Sequence, residues 1–259
     1  MDELIEKFVS KKLRKKGDEY QLSANSILSG KGFGKMSKLA SRLYQTMKAI
    51  NPRLIRSEAY QQLVRILVAI RQGNLSLLEE GKSGYTYAHL LNGFRLNNQK
   101  GWDSLLPWSP LLSFDIADKV INVILPTDKK WMFKKFPDQA VQVGVTCYVV
   151  VADLEDQDKM PYQVATKTAI FNIFEESEER KVRKALELFP DSLILVLGTA
   201  QYYLTDKTGK NSSPSNNKSY YVTDILQTYH VQDGQVLKDY KVSKKIDFPK
   251  PIIGDIDWE

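Results

Sequence analysis

The side chains best suited to bond-making chemistry are few and scattered. The chain holds two histidines, His89 and His230, and one cysteine, Cys147. A nucleophile–histidine–acid triad needs an imidazole within reach of both partners. His89 falls on the helix side roughly opposite Tyr87, Leu91 and Phe94, while His230 shares a strand face with Asp224 and Thr228. Both are expected to be ordinary surface histidines. Cys147 falls on a valine-rich strand face, where a thiol acts as a small buried hydrophobe and stays inert. One cysteine excludes an intramolecular disulfide framework, and with two histidines it cannot complete a four-ligand Cys/His zinc site.

The acids are no more specific. Asp153, Glu155, Asp156 and Asp158 offer oxygens to a hard cation, but they lack the alternating Asp/Asn pattern and central glycine of a calcium loop. A solvated hairpin is the expectation. Glu175, Glu176, Glu178 and Glu179 read as a polar turn. Spacing alone gives no pair of these carboxylates a general acid and base role. No cofactor and no metal are expected, and an enzyme of unknown reaction stands behind two non-catalytic readings.

Anion binding is the sharper signal. The formal net charge is +6, but residues 1–56 hold thirteen Lys/Arg against five acids, so they carry +8 and the rest of the chain −2. The candidate anion or nucleic-acid contacts are Lys11, Lys12, Arg14, Lys15, Lys16, Lys31, Lys35, Lys38 and Arg42. Cations acting together on phosphates release counterions and need no base reading. The aromatics of the segment (Phe8, Tyr20, Phe33 and Tyr44) are sparse and suit packing as well as base stacking. An anionic lipid surface, an acidic protein partner and a merely solvated basic face remain alternatives.

Within this segment, Ser29–Lys35 is rich in glycine and lysine. It is no Walker loop, because Ser29 holds the first glycine position and Met36 follows the lysine. Nor is it a dinucleotide fingerprint, lacking the preceding strand and the third glycine. Its glycines allow a close backbone approach to an anion near a helix N-terminus. A flexible hinge is the expected role.

These residues must be positioned by larger elements. Residues 2–16 read as a short amphipathic helix with acids first and lysines last, ended by Gly17. A helix at 35–50 carries Met36, Leu39, Ala40, Leu43, Met47 and Ile50 as one stripe, and Asn51-Pro52 stops it. Further helices are expected at 57–72 and 84–97. After about residue 103 the period changes to two. Val141, Val143, Val145, Cys147, Val149 and Val151 alternate with polar or small residues, a half-buried strand. Similar runs occur at 111–116, 119–125, 162–174, 192–204 and 219–231, without long helices between them, which favours antiparallel pairing in a sandwich. The stretch 178–189 suits a short helix or a strand.

The glycine-rich basic opening, the boundary Asn51-Pro52-Arg53, the run Tyr87–Phe94 and a terminal β-region together give a layout similar to a group of Bacteroidota proteins catalogued as a domain of unknown function. That resemblance covers roughly residues 26–231 and rests on element order. It implies a helical front and an immunoglobulin-like back, and it carries over no catalytic residues.

The reading is therefore an α+β chain with four parts. Residues 1–34 form a basic amphipathic helix and glycine-rich linker, and 35–102 a helical region. Residues 103–231 form an antiparallel immunoglobulin/fibronectin-III-like β-sandwich, and 232–259 an edge strand or tail. The expected role is a non-enzymatic interaction or assembly protein with a protein partner. The alternative is a nucleic-acid-associated protein that grips phosphates through 1–56. No apolar run is long enough to span a bilayer and none forms a secretory leader, so a soluble, cytoplasmic bacterial protein is expected.

Overall fold

The computed structural model describes residues 24–50, 56, 58–73, 87–97, 100–106, 108–125, 137–156, 158–173, 175, 179–206 and 208–237. The helix expected at 2–16 and the tail beyond 237 lie outside the described residues.

The valine alternation builds the centre of the molecule. Strand β3 (Ala140–Asp153) turns Val143, Val145, Cys147, Val149 and Val151 to one side, each no more than 1% exposed. Full burial of such a side chain contributes roughly 1.5–3 kcal/mol, so the stripe fixes the register of the strand. Its long partner is β7 (Asp191–Thr205), paired antiparallel with β3, and β9 (Tyr221–Gln232) pairs with the far side of β7. The hairpin strand β10 (Gln235–Leu237) closes that edge through Asp233-Gly234, both at positive φ. This is the turn chemistry that suits a tight antiparallel reversal. On the other side of β3 lie β4 (Tyr162–Ala165) and β5 (Ala169–Asn172), while β8 (Ser212–Pro214) extends β7.

A second sheet holds β1 (Leu111–Asp115), β2 (Val120–Leu125) and β6 (Arg180–Ala185), in the order β1-β2-β6 and antiparallel throughout. Ile121, Val123 and Leu125 of β2 share one core with the odd-numbered valines of β3, with Trp102, Trp108 and Phe171 filling the space between. The architecture is thus α+β and dominated by antiparallel sheet, with two sheets sharing a core as in a β-sandwich.

The opposite face of the large sheet is not left to water. Helix α1 (Ala24–Ile50) buries Met36, Leu39, Ala40, Leu43 and Met47, and α2 (Ala59–Gly73) buries Leu63, Val64, Leu67 and Ile70. Both stripes share one cluster with Val150, Ala152, Leu193, Leu195, Leu197 and Ile225 from the sheet. The expected separation of a helical region, 35–102, from a β-domain beginning at 103 is therefore not how the apolar residues sort. An amphipathic helix must bury its stripe somewhere, and here the sheet supplies the surface. Thr146, which alternation turns away from the valine face, is only 8% exposed, its hydroxyl hydrogen-bonded to that of Thr168 over 2.8 Å. The chain divides into compact units Met1–Gly34 and Lys35–Glu259.

Three local expectations are corrected. The glycine run is not a loop, because Gly30, Gly32 and Gly34 all lie within α1. Each glycine costs a helix about 1 kcal/mol relative to alanine, yet a helix already nucleated extends at one hydrogen bond per residue. The α-helix expected at 84–97 is, over the described residues, a single 3-10 turn, Ala88–Leu91. Gly93 at φ +76 ends it. The next residues then join β9, with Gly93 and Leu96 donating to Ile225 and Thr223 and Ile225 donating to Phe94. Finally, Val141 leaves the valine stripe. The pairing shifts between Ala140 and Gln142, so Val141 is the extra residue of a β-bulge and Ala140 takes the inward position.

Candidate interaction surface

Of the nine candidate anion contacts, Lys11, Lys12, Arg14, Lys15 and Lys16 lie outside the described residues, as does the side chain of Lys31, although its backbone is in α1. Lys35, Lys38 and Arg42 follow at helical spacings of three and four, which makes one stripe of α1. That stripe is not bare. Lys38 Nζ forms an ion pair with Asp158, and Arg42 Nη2 lies 3.8 Å from the same carboxylate. Hydrogen bonding to Lys38 and its charge, with Arg42 adding to them, hold Asp158 below its ordinary value. Lys35 is exposed and makes no ion pair among the described residues.

The acidic turn thus has a partner, and it is built as a hairpin turn. Asp153 Oδ1 accepts from the main-chain N–H groups of Glu155 and Asp156, and Asp156 Oδ1 from that of Asp158. Among the described residues no group of three or more His, Cys, Asp or Glu is arranged to hold a metal ion. Glu175 accepts from the Asn172 amide and Glu179 pairs with Lys181, while Glu176 and Glu178 lie outside the described residues.

Three of the other reactive side chains, Cys147, His230 and Asp224, are buried. Burial pushes the Cys147 thiol up to about 12, so almost no thiolate exists at neutral pH. His89 is exposed on its 3-10 turn. His230, expected at the surface, is instead buried, with Nε2 2.7 Å from Asp191 Oδ1. It shares a face with Thr228 but not with Asp224, because β9 has its own bulge at Leu226 that reverses the alternation. Asp224 enters the opposite core, 4% exposed, and its Oδ2 accepts from the Trp102 N–H over 2.8 Å. Its Oδ1 is buried without a hydrogen-bond partner. Burial raises this carboxyl to about 6 against the opposing pull of the Trp102 N–H, Arg95 and Arg56, with Asp103 adding to the rise. The Asp224 and His230 bonds each join separate elements: β9 to the Trp102 segment, and β9 to β7.

The surface that sequence reasoning missed is the outward side of the β1-β2-β6 sheet. The inner row is apolar, with Leu112, Phe114 and Val182 packed against the shared core. The register places Leu111 beside Ile124 and Lys181, and Ser113 beside Asn122 and Arg183, on the outward side. Leu111 is 62% exposed there. Neither β1 nor β6 pairs with a further strand along its outer edge among the described residues.

Strand β6 was ambiguous because Arg-Lys-Val-Arg-Lys-Ala has little β-propensity of its own. Tertiary contacts decide it. Val182 and Leu186 reach the core, and the Arg180 guanidinium lies 5.0 Å from the centre of the Phe171 ring while donating to the Ile170 carbonyl over 3.0 Å. Outside, Lys181 pairs with Glu179 at 2.9 Å and Arg183 with Asp118 at 3.2 Å.

No protein-family model, no curated protein and no solved structure matches this chain. No helix among the described residues is long and apolar enough to cross a membrane.

Proposed function

We propose that the chain is a non-enzymatic interaction or assembly module of the cytoplasm, and that its contact surface is the outward side of the β1-β2-β6 sheet. The observation that carries this reading is Leu111, 62% exposed on an edge strand that pairs on one side only among the described residues. An apolar side chain on an open edge is an aggregation liability in isolation and an anchor in a complex. The interior positions of Cys147, His230 and Asp224 favour the same reading over an enzyme. The finer fold assignment, an immunoglobulin/fibronectin-III-like sandwich of the resembled Bacteroidota group, is part of this proposal, supported by two antiparallel sheets sharing one core.

A second reading, binding of nucleic acid or another polyanion, keeps one favourable observation: Lys35 stands exposed on the α1 stripe. Asp158 weakens it by occupying Lys38 and Arg42. A photo-crosslinking residue placed at Ser113 on the outer sheet, and at the exposed Gln61 of α2 as control, separates the readings in cells producing the chain. Protein adducts at Ser113 and not at Gln61 are expected. Equal labelling at both positions, or none at Ser113, would count against the surface.

A further inference from the structure

We propose that the open edge of β6 docks an acidic polypeptide segment that adds to the sheet as an extended strand, with carboxylates facing Lys181 and Arg183. This rests on the interaction reading above and names the chemistry of the partner. Strand β6 uses one edge to pair with β2 over Arg180–Ala185, and among the described residues its other edge pairs with nothing. Every second residue of an unpaired edge presents an N–H and a C=O outward, a template that another backbone completes.

Charge chooses the backbone. Four of the six residues of β6 are cationic. Arg180 is committed internally to Phe171 and the Ile170 carbonyl, and Lys184 lies half-buried on the inward row. Lys181 and Arg183 remain on the outward side, two residues apart, a spacing of roughly 6.5–7 Å along a strand. A strand laid alongside repeats that spacing, so carboxylates on alternate residues meet both cations directly.

Both cations already hold carboxylates from their own chain, Glu179 and Asp118, in contacts whose side chains are between 47% and 69% exposed. Exposed pairs of this kind are weak and exchange readily with an incoming acid. A second copy of β6 is disfavoured, because Lys and Arg would stand opposite Lys and Arg. Nucleic acid would use the charge but leave the ladder of N–H and C=O groups unpaired, so the geometry favours a polypeptide.

The test uses the full chain and a blocked peptide of alternating Glu and Thr, about as long as β6, at low salt. Binding is followed by fluorescence anisotropy and by amide exchange. Saturable binding is expected, with slowed exchange confined to β6 and steep weakening by salt. Lys181→Glu with Arg183→Glu should weaken it at least tenfold without moving Tm, and should confer binding of an alternating Lys and Thr peptide. If the reversed chain folds poorly, Lys181→Gln with Arg183→Gln must still show the loss. Absence of binding at millimolar peptide, or binding without protection of β6, overturns the proposal. So does a single-stranded oligonucleotide that protects β6 more strongly than the peptide, which would make the edge a phosphate surface. If the peptide fails while Ser113 still forms protein adducts, the acidic strand is wrong and the interaction reading survives; if both fail, both are wrong.

Discussion

The main-chain N–H of Trp102 donates to Asp224 Oδ2 over 2.8 Å, and this bond ties the single-turn helix α3 (Trp102–Leu105) to β9 inside the sandwich core. The Trp102 ring then lies over β7 at Gly198, where an added Cβ would come within 2.5 Å of both Trp102 Cζ3 and Leu226 Cδ1. Leu226 can swing away, but a ring packed between two sheets cannot. Gly198→Ala should therefore destabilise by about 1–3 kcal/mol, the usual penalty for overpacking a core. Thermal unfolding monitored by circular dichroism reads it; an unchanged Tm would place the ring elsewhere.

Asp224 gives a pH dependence of definite sign. Its carboxyl is held at about 6 in the folded chain against an ordinary value of 3.8. Folding therefore favours the protonated form. The stability it contributes is fully present below the ordinary value and is lost as pH rises through about 6, by at most about 3 kcal/mol. Asp224→Asn keeps an oxygen for the Trp102 N–H and removes the titration. Its Tm relative to the parent should climb between pH 4 and 7 and then level off. A difference that stays constant across that range would contradict the buried, raised carboxyl.

The helical glycines make an opposite prediction. A Cβ at Gly30 or Gly34 meets nothing within 4 Å. Alanine should therefore stabilise α1 by roughly 0.5–1 kcal/mol per site and increase helicity in the far ultraviolet. A hinge at the same place would lose order or stability on the same substitutions.

What could be read from the residues, and what could not, follows from the range of the forces involved. The β3 stripe and the stripes of α1 and α2 were legible because each alternation maps directly onto a buried face. Val141 was not, because a bulge changes parity without any change of residue type. The same cause hid the separation of His230 from Asp224: one extra residue, Leu226, turns them to opposite faces. The apolar spacing around Asn92-Gly93 suggested a helix, and the backbone pairing of Gly93–Leu96 with β9 decided otherwise. Strand β6 needed its partner β2, with three strands between them in the chain, to become a strand at all. Nor could spacing show the acid that meets Lys38 and Arg42, since Asp158 comes from the β3–β4 turn, more than a hundred residues on.

That pairing can be undone. The Asp158 side chain is 72% exposed, so Asp158→Ala should leave Tm unchanged while releasing Lys38 and Arg42 on the stripe that includes Lys35. Retention on immobilised heparin should then shift to higher salt. An identical elution profile would show that the α1 stripe does not face the anion even when its cations are released.

The proposed function, holding another protein on the outer sheet, is tested most directly by a substitution that alters only that surface. Leu111 is largely exposed, and its change to Glu, alone or with Ile124→Glu on the neighbouring strand, puts charge where an apolar anchor is proposed. The measurement is the amount of each Ser113-crosslinked protein that co-purifies with the parent chain and with the Leu111→Glu chain, alongside Tm for both. At least a tenfold loss of those proteins at an unchanged Tm is expected. The same proteins recovered in the same amounts from both chains would contradict it.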